Sequence, residues 1–173
     1  FPINTRGVFK LMSKIWKSIE SIDYKDCGDC IKDFKNKNYK LSPWIENIVK
    51  NKNFKFLNYD FPIQLIRKNV KDLGFEGPTE LEKIYNKVKS VGLKLVPPEI
   101  AILCRMYYEE QETGEWLRFA TPMDSMIDSD GVPHLPKLGK ALGLYFIETY
   151  WSYPKAIFHP HNEFVFILPN DKK

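Results

Sequence analysis

Five apolar residues in succession, Phe164-Val165-Phe166-Ile167-Leu168, follow Glu163 near the C-terminal end of the sequence. Side chains of a strand alternate between its two faces, so a run with no polar member is the pattern of a strand covered on both sides. The rest of the chain has to supply those covers. At 173 residues it is long enough to do so as one domain. Folding at that size buries roughly 70% of the surface without help from disulfides or metals. An apolar content of 43%, with 12 Phe, 9 Tyr and 4 Trp, argues against a disordered chain. No apolar run approaches the roughly 20 residues of a membrane span, which excludes an integral helical membrane protein.

Periodicity predicts helices first and strands later. Phe9, Met12, Ile15, Trp16, Ile19 and Ile22 recur at steps of three and four, predicting a helix over Thr5–Ile22 capped by Thr5. Its second face would carry Arg6, Lys10, Lys14 and Lys17. A short helix fits around Cys30–Phe34. Ser42-Pro43 reads as N-cap and first position of another that buries Trp44, Ile45, Ile48 and Val49. Phe54–Ile66 suits one or two short strands. Thr79-Glu80-Leu81-Glu82 matches a capping box that opens a helix ending at Gly92. Pro97-Pro98 opens the last helix, which stops near Glu109 because carboxylates there oppose the helix dipole.

Beyond Gly114 the texture changes to strands. Glu115–Thr121 and a segment after Gly131 flank a turn at Asp128-Ser129-Asp130-Gly131. In Leu142–Trp151, Tyr145, Ile147, Thr149 and Trp151 share one face, and Leu144, Phe146, Glu148 and Tyr150 share the other. The expected class is α+β, an N-terminal helical region followed by a small C-terminal antiparallel sheet.

The charge divides at the same place. Through Lys94 there are 19 basic and 11 acidic residues, a net of +8; from Leu95 there are 7 and 11, a net of −4, which together give the overall +4. The expected organisation is a basic, mainly helical region over 1–94 and an acidic, aromatic region over 95–173, either as two parts or as one compact domain. Three cysteines, an odd number, argue against a disulfide framework and for a reducing, cytoplasmic setting. Lysines interrupt the first apolar residues, so no signal peptide is read there. The start at Phe1-Pro2 without Met suggests processing or excision from a longer chain.

Several stretches, Pro97-Pro98-Glu99-Ile100-Ala101 with Arg105 and Tyr108, Gly114-Glu115-Trp116-Leu117, Asp128-Ser129-Asp130-Gly131 and Phe164-Val165-Phe166, together resemble a family of uncharacterised bacterial proteins. Leu73-Gly74-Phe75 and the Thr79 helix extend the likeness over roughly the C-terminal hundred residues. The resemblance implies a bacterial, independently folding unit and brings no catalytic residues with it.

The sequence lacks a phosphate-cradling GxxxxGK[ST], a GxGxxG, an HExxH and a GxSxG. Cys27-Gly28-Asp29-Cys30 has the spacing of a zinc or redox pair, but no second CxxC completes a zinc site and the pair also suits a helix start. Candidate catalytic carboxylates are Glu109, Glu112, Glu115 and Asp128, since hydrolases hold two or more such groups in a cleft. His159 and His161, with Glu163, could form a two-histidine, one-carboxylate metal set. The basic stripes Arg6, Lys10, Lys14 and Lys17, and Lys83 and Lys87, are candidate contacts for a phosphate backbone or another polyanion. Trp116 and Trp151 are candidate binding aromatics.

The charge split and the missing catalytic motifs lead to the expectation of a small non-enzymatic binding protein with no cofactor. It would contact an acidic partner, nucleic acid or an acidic protein surface, away from any membrane. The alternatives are a small hydrolase, metal-assisted or not, and a toxin or effector domain cut from a larger chain.

Overall fold

The structure, a computed structural model, describes residues 14–170. Its centre is a seven-stranded mixed sheet in the order β1-β3-β9-β5-β6-β7-β2. The strands are β1 (Ile15–Ile19), β2 (Lys40–Leu41), β3 (Ile63–Asn69), β5 (Trp116–Phe119), β6 (His134–Ala141), β7 (Leu144–Trp151) and β9 (Glu163–Leu168). β9 lies between β3, antiparallel, and β5, parallel; β2 joins β7 in parallel, and the remaining neighbours are antiparallel. A separate two-stranded ribbon pairs β4 (Thr79–Glu80) with β8 (Ile157–Phe158).

Helices cover both faces. On one side lie α1 (Cys27–Asn36), α2 (Pro43–Lys52) and α4 (Pro98–Tyr107), whose Phe34, Ile48 and Leu103 share a core with Leu65, Phe119 and Val165. On the other side α3 (Leu81–Ser90) sets Leu81, Ile84 and Val88 against Ile66, Phe164 and Phe166. The alternation of β9 therefore feeds two cores at once, and its Phe164, Val165 and Phe166 are fully buried. Each such side chain contributes about 1.5–3 kcal/mol. Strands from both sides of Lys94 belong to this one sheet.

The α+β class holds, but the expected order of helices followed by a small C-terminal sheet does not. The sheet is large and mixed, it takes β1, β2 and β3 from the first seventy residues, and the helices are interspersed. The expected Thr5–Ile22 helix fails where it can be seen, because Ile15–Ile19 is an edge strand on β3. A bulge between Ile15 and Lys17 explains the misreading: Ile15 faces Ile66 while Lys17 faces Leu65, so two steps on β1 match one on β3. The extra residue breaks the period of two and leaves apolar spacings that mimic a helix.

The Thr79 capping box is also absent. Thr79 belongs to β4 and its hydroxyl donates to Gly77 O at 2.8 Å. The first amides of α3 are satisfied instead by backbone carbonyls, Leu81 N–H by Ala156 O and Glu82 N–H by Pro154 O. By contrast Ser42 and Pro43 open α2 as expected, Ser42 Oγ accepting from Trp44 N–H at 3.2 Å, although Trp44 itself is 45% exposed rather than buried. Asp26 caps α1 by accepting from Asp29 N–H at 3.1 Å.

The β6–β7 hairpin turns on two residues, Leu142 at φ 52° and Gly143 at φ 73°. Such turns require positive φ at both positions and favour Asn-Gly. Leucine there holds a left-handed conformation that costs roughly 1–2 kcal/mol, and its side chain is 94% exposed. Replacing Leu142→Asn should raise stability by about 0.5–1 kcal/mol. A urea unfolding midpoint that stayed put or fell would contradict this account of the turn.

Candidate functional site

β5, β6 and β7 turn one face to the helices and the other toward solvent beyond the reach of α3. Register places the outer residues in cross-strand rows. Trp116 faces Gly139, and Gly139 faces Phe146; one step along, Arg118 faces Lys137, and Lys137 faces Glu148. Tyr150, opposite Leu135, closes the patch toward β8. Trp116, Arg118, Lys137, Phe146, Glu148 and Tyr150 are all half-buried.

Glycine at 139 is required by this arrangement. A Cβ there would overlap three six-ring carbons of Trp116, so the indole packs against Gly139. Phe146 flanks Trp116 with ring centroids 6.0 Å apart.

The cations lie among these rings. Lys137 Nζ is 4.8 Å from the Trp116 centroid and 5.7 Å from that of Tyr150, and the Arg118 guanidinium is 5.7 Å from Tyr150 and 5.8 Å from Phe158. Among the described residues neither head group forms an ion pair or a hydrogen bond, and Arg118 Nε is fully buried without an acceptor. Burial lowers the pKa of Arg118, and burial followed by repulsion from Arg118 lowers that of Lys137. Burial also raises the Glu148 carboxyl above its ordinary value, against the pull of Lys137. This is a desolvated surface with aromatic faces and two like charges side by side.

The residues singled out from the sequence do not converge in this way. Arg6 and Lys10 lie outside the described residues. Lys14 precedes β1 and is exposed, and Lys17, on that edge strand, pairs with Glu110. Lys83 and Lys87 are exposed on the outer side of α3. Trp116 belongs to the patch, whereas Trp151, 57% exposed, stands at the end of β7 on the register of Ile147, which faces the helices.

The carboxylates are dispersed among separate partners. Glu109 accepts from Lys37 Nζ at 3.0 Å and from Tyr39 Oη at 3.3 Å, and Glu112 is exposed. Glu115 and Glu163 converge on Arg67, which donates to Glu163 from Nε at 3.1 Å and Nη2 at 2.8 Å, to Glu115 from Nη2, and to Tyr108 Oη from Nη1 at 2.6 Å. Asp128 shapes its turn by accepting from the amides of Asp130 and Val132, and meets His134 Nε2 at 2.8 Å. The hydrogen bond from His134, with those amides, holds Asp128 below the usual carboxylate range.

His159 and His161 stack with centroids 5.9 Å apart, while Glu163 is engaged by Arg67. No group of three metal-holding side chains is found among the described residues. Cys27 and Cys30 sit at the start of α1, Cys104 sits in α4, and all three are fully buried and unpaired by disulfides. Burial pushes the thiols of Cys30 and Cys104 up to about 12 and raises Cys27 as well.

Arg118, Lys137, Gly139, Phe146, Glu148 and Tyr150 were not reached from sequence as site residues. The period-two spacing of Trp116 with Arg118, and of Lys137 with Gly139, was the available signal; the register that joins them was not. No family model, curated protein or solved structure matches the chain. No helix among the described residues is long and apolar enough to cross a membrane.

Reactive thiolate chemistry requires a depressed pKa and access, and these cysteines have neither. Iodoacetamide at pH 8 should therefore leave all three unmodified in the native protein and alkylate all three in denaturant, as read by intact mass. Rapid native modification of Cys27 or Cys30 would restore the redox reading of the CxxC.

Proposed function

We propose that the chain is a small non-enzymatic binding module whose open β5–β6–β7 face contacts an acidic partner. The observation that carries this reading is the Arg118–Lys137 pair. Like charges directly opposite on neighbouring strands destabilise a sheet, by roughly 0.2–1 kcal/mol. Desolvation among aromatic rings adds to the cost; Glu148, opposite Lys137, attracts that cation without forming an ion pair, and no described side chain pairs with Arg118. An anion laid across the row Arg118–Lys137 would remove that penalty. A local arrangement that works against folding is the signature of a residue set retained for another purpose. The candidate carboxylates of a hydrolase, apart from exposed Glu112, are engaged by cations or turn amides in different parts of the fold.

Retention on heparin at low salt tests the charge complementarity directly. The double variant Arg118→Gln/Lys137→Gln should elute at lower salt, and the slope of log affinity against log salt should fall by about 1 for each cation removed. Its unfolding midpoint should be unchanged or higher. Retention equal to that of the unaltered protein would refute this face as the contact surface.

The raised carboxyl of Glu148 adds a pH dependence with a definite sign. Glu148 takes up a proton above the ordinary carboxylate range, so its negative charge is lost as pH falls through that raised value and the patch becomes more positive. Heparin retention should strengthen from pH 7 toward pH 5, and Glu148→Gln should bind more tightly at pH 7 with a flatter profile. Parallel profiles for the two proteins would show that another group titrates.

A further inference from the structure

Resting on the proposed function, and deepening it, we infer that the acidic partner of the β5–β6–β7 face is a single-stranded nucleic acid, with a base stacked on Trp116 and its phosphates at Arg118 and Lys137. Charge alone would admit any polyanion. The ring geometry narrows the class. The Trp116 indole lies against Gly139, where a Cβ would overlap its six-membered ring, with Phe146 beside it. An aromatic ring backed by a sheet is a surface on which a planar base gains by stacking, once the Lys137 ammonium over it has moved aside. A run of carboxylate side chains, as in polyglutamate, has groups for the cations but nothing planar and uncharged to set against the indole.

The spacing of charge and ring agrees with one nucleotide unit. Arg118 is two residues from Trp116 on β5, and Lys137 is two residues from Gly139 on β6, so the cationic row lies one repeat along from the aromatic row. The two cations are on adjacent strands, roughly 4.8 Å apart at the backbone. The Lys137 ammonium already rests against Trp116 and is long enough to swing to a phosphate when a base takes its place on the ring. Tyr150 and Phe146 extend the aromatic surface across β7, in the manner of open sheets that hold two or three bases.

Duplex nucleic acid fits this face poorly. Its bases are already stacked on one another, so only phosphates would reach the patch and the aromatic row would go unused. A single strand can splay its bases onto the sheet, and the contact reads stacking rather than base identity.

The test titrates the full chain, at low salt, with a fluorescent ten-nucleotide oligothymidine, the matching duplex, heparin and polyglutamate. The single strand should bind at least about 10-fold tighter than the duplex of equal length and should quench tryptophan fluorescence. Trp116→Leu should weaken the single strand by roughly 5- to 100-fold and abolish most of the quenching although Trp16, Trp44 and Trp151 remain, while leaving heparin affinity within about twofold. Trp116→Phe, which keeps a ring over Gly139, should recover most of the affinity and serves as the control for folding. Duplex, heparin or polyglutamate binding as tightly as the single strand, with Trp116→Leu unchanged, would overturn the nucleic-acid assignment and leave the polyanion reading standing. If none of the four binds at low salt, or if Arg118→Gln/Lys137→Gln binds all of them as before, both readings fall.

Discussion

The pairing of β9 between β3 and β5 is the contact on which the rest of the molecule depends. β3 ends near residue 69 and β9 begins at Glu163, so almost a hundred residues separate strands that lie side by side. Closing such a loop is entropically costly, though the cost grows only slowly with length. It is offset by a strand with apolar residues on both faces. Phe164, Phe166 and Leu168 fill the core under α3, and Val165 fills the core under α1, α2 and α4. Neither core could exist without the strand that divides them. The connection through Lys94 and Val96 reinforces this centre, because Lys94 exchanges both backbone hydrogen bonds with Ile167 and Val96 N–H donates to Ala120 O.

A second constraint ties this centre to the open face. Arg105 is fully buried in α4, and among the described residues it faces no carboxylate at hydrogen-bonding distance. Its guanidinium donates to Gln111 Oε1 at 2.8 Å and to the backbone carbonyls of Gly139, Phe146 and Tyr108 at 3.0, 3.1 and 2.6 Å. The Tyr145 ring lies 5.0 Å from it. A planar fork of donors suits this task better than a lysine, since it can hold several fixed acceptors at once. The result is that the helix end is pinned to the β6–β7 hairpin at the very pair, Gly139 and Phe146, on whose other side Trp116 lies. Burying the cation lowers its pKa, yet an arginine stays charged at any ordinary pH, so the staple is permanent.

These relations divide what the sequence could express from what it could not. β7 was legible, because its alternation is unbroken and one face meets the core while the other meets solvent. β9 was legible as a strand but not as the central one, since a continuous apolar run says that both faces are covered without saying by what. β1 was illegible because its bulge shifts the phase of the side chains. α3 was legible as a helix, with Leu81, Ile84, Tyr85 and Val88 inward, but its start was not, because its first amides are capped by the distant Pro154 and Ala156 carbonyls rather than by the Thr79 that local chemistry nominates. The site was hidden for the same reason. Arg118 and Lys137 are unremarkable nineteen positions apart in sequence, and only the register of β5 against β6 makes them neighbours. Leu142-Gly143 likewise gave no hairpin signal strong enough to predict the register of β6 against β7, because leucine occupies a position where asparagine is expected.

The location of the patch explains how the molecule tolerates it. The cross-strand repulsion between Arg118 and Lys137 is worth on the order of 1 kcal/mol at most, against the 5–15 kcal/mol typical of a domain. The stabilising contacts are concentrated around β9 and Arg105, on the helix-covered face and under α3, so the outer residues of β5, β6 and β7 carry little of the fold. Gly139 is the exception, since Arg105 grips its carbonyl from within and Trp116 covers it from without. Charge on this face can therefore change with small effect on folding, while the indole cannot move without disturbing the hairpin beneath it. A surface built in this way holds its aromatic ring in place while its charge carries little of the fold, as the proposed contact with a flexible anionic chain would need.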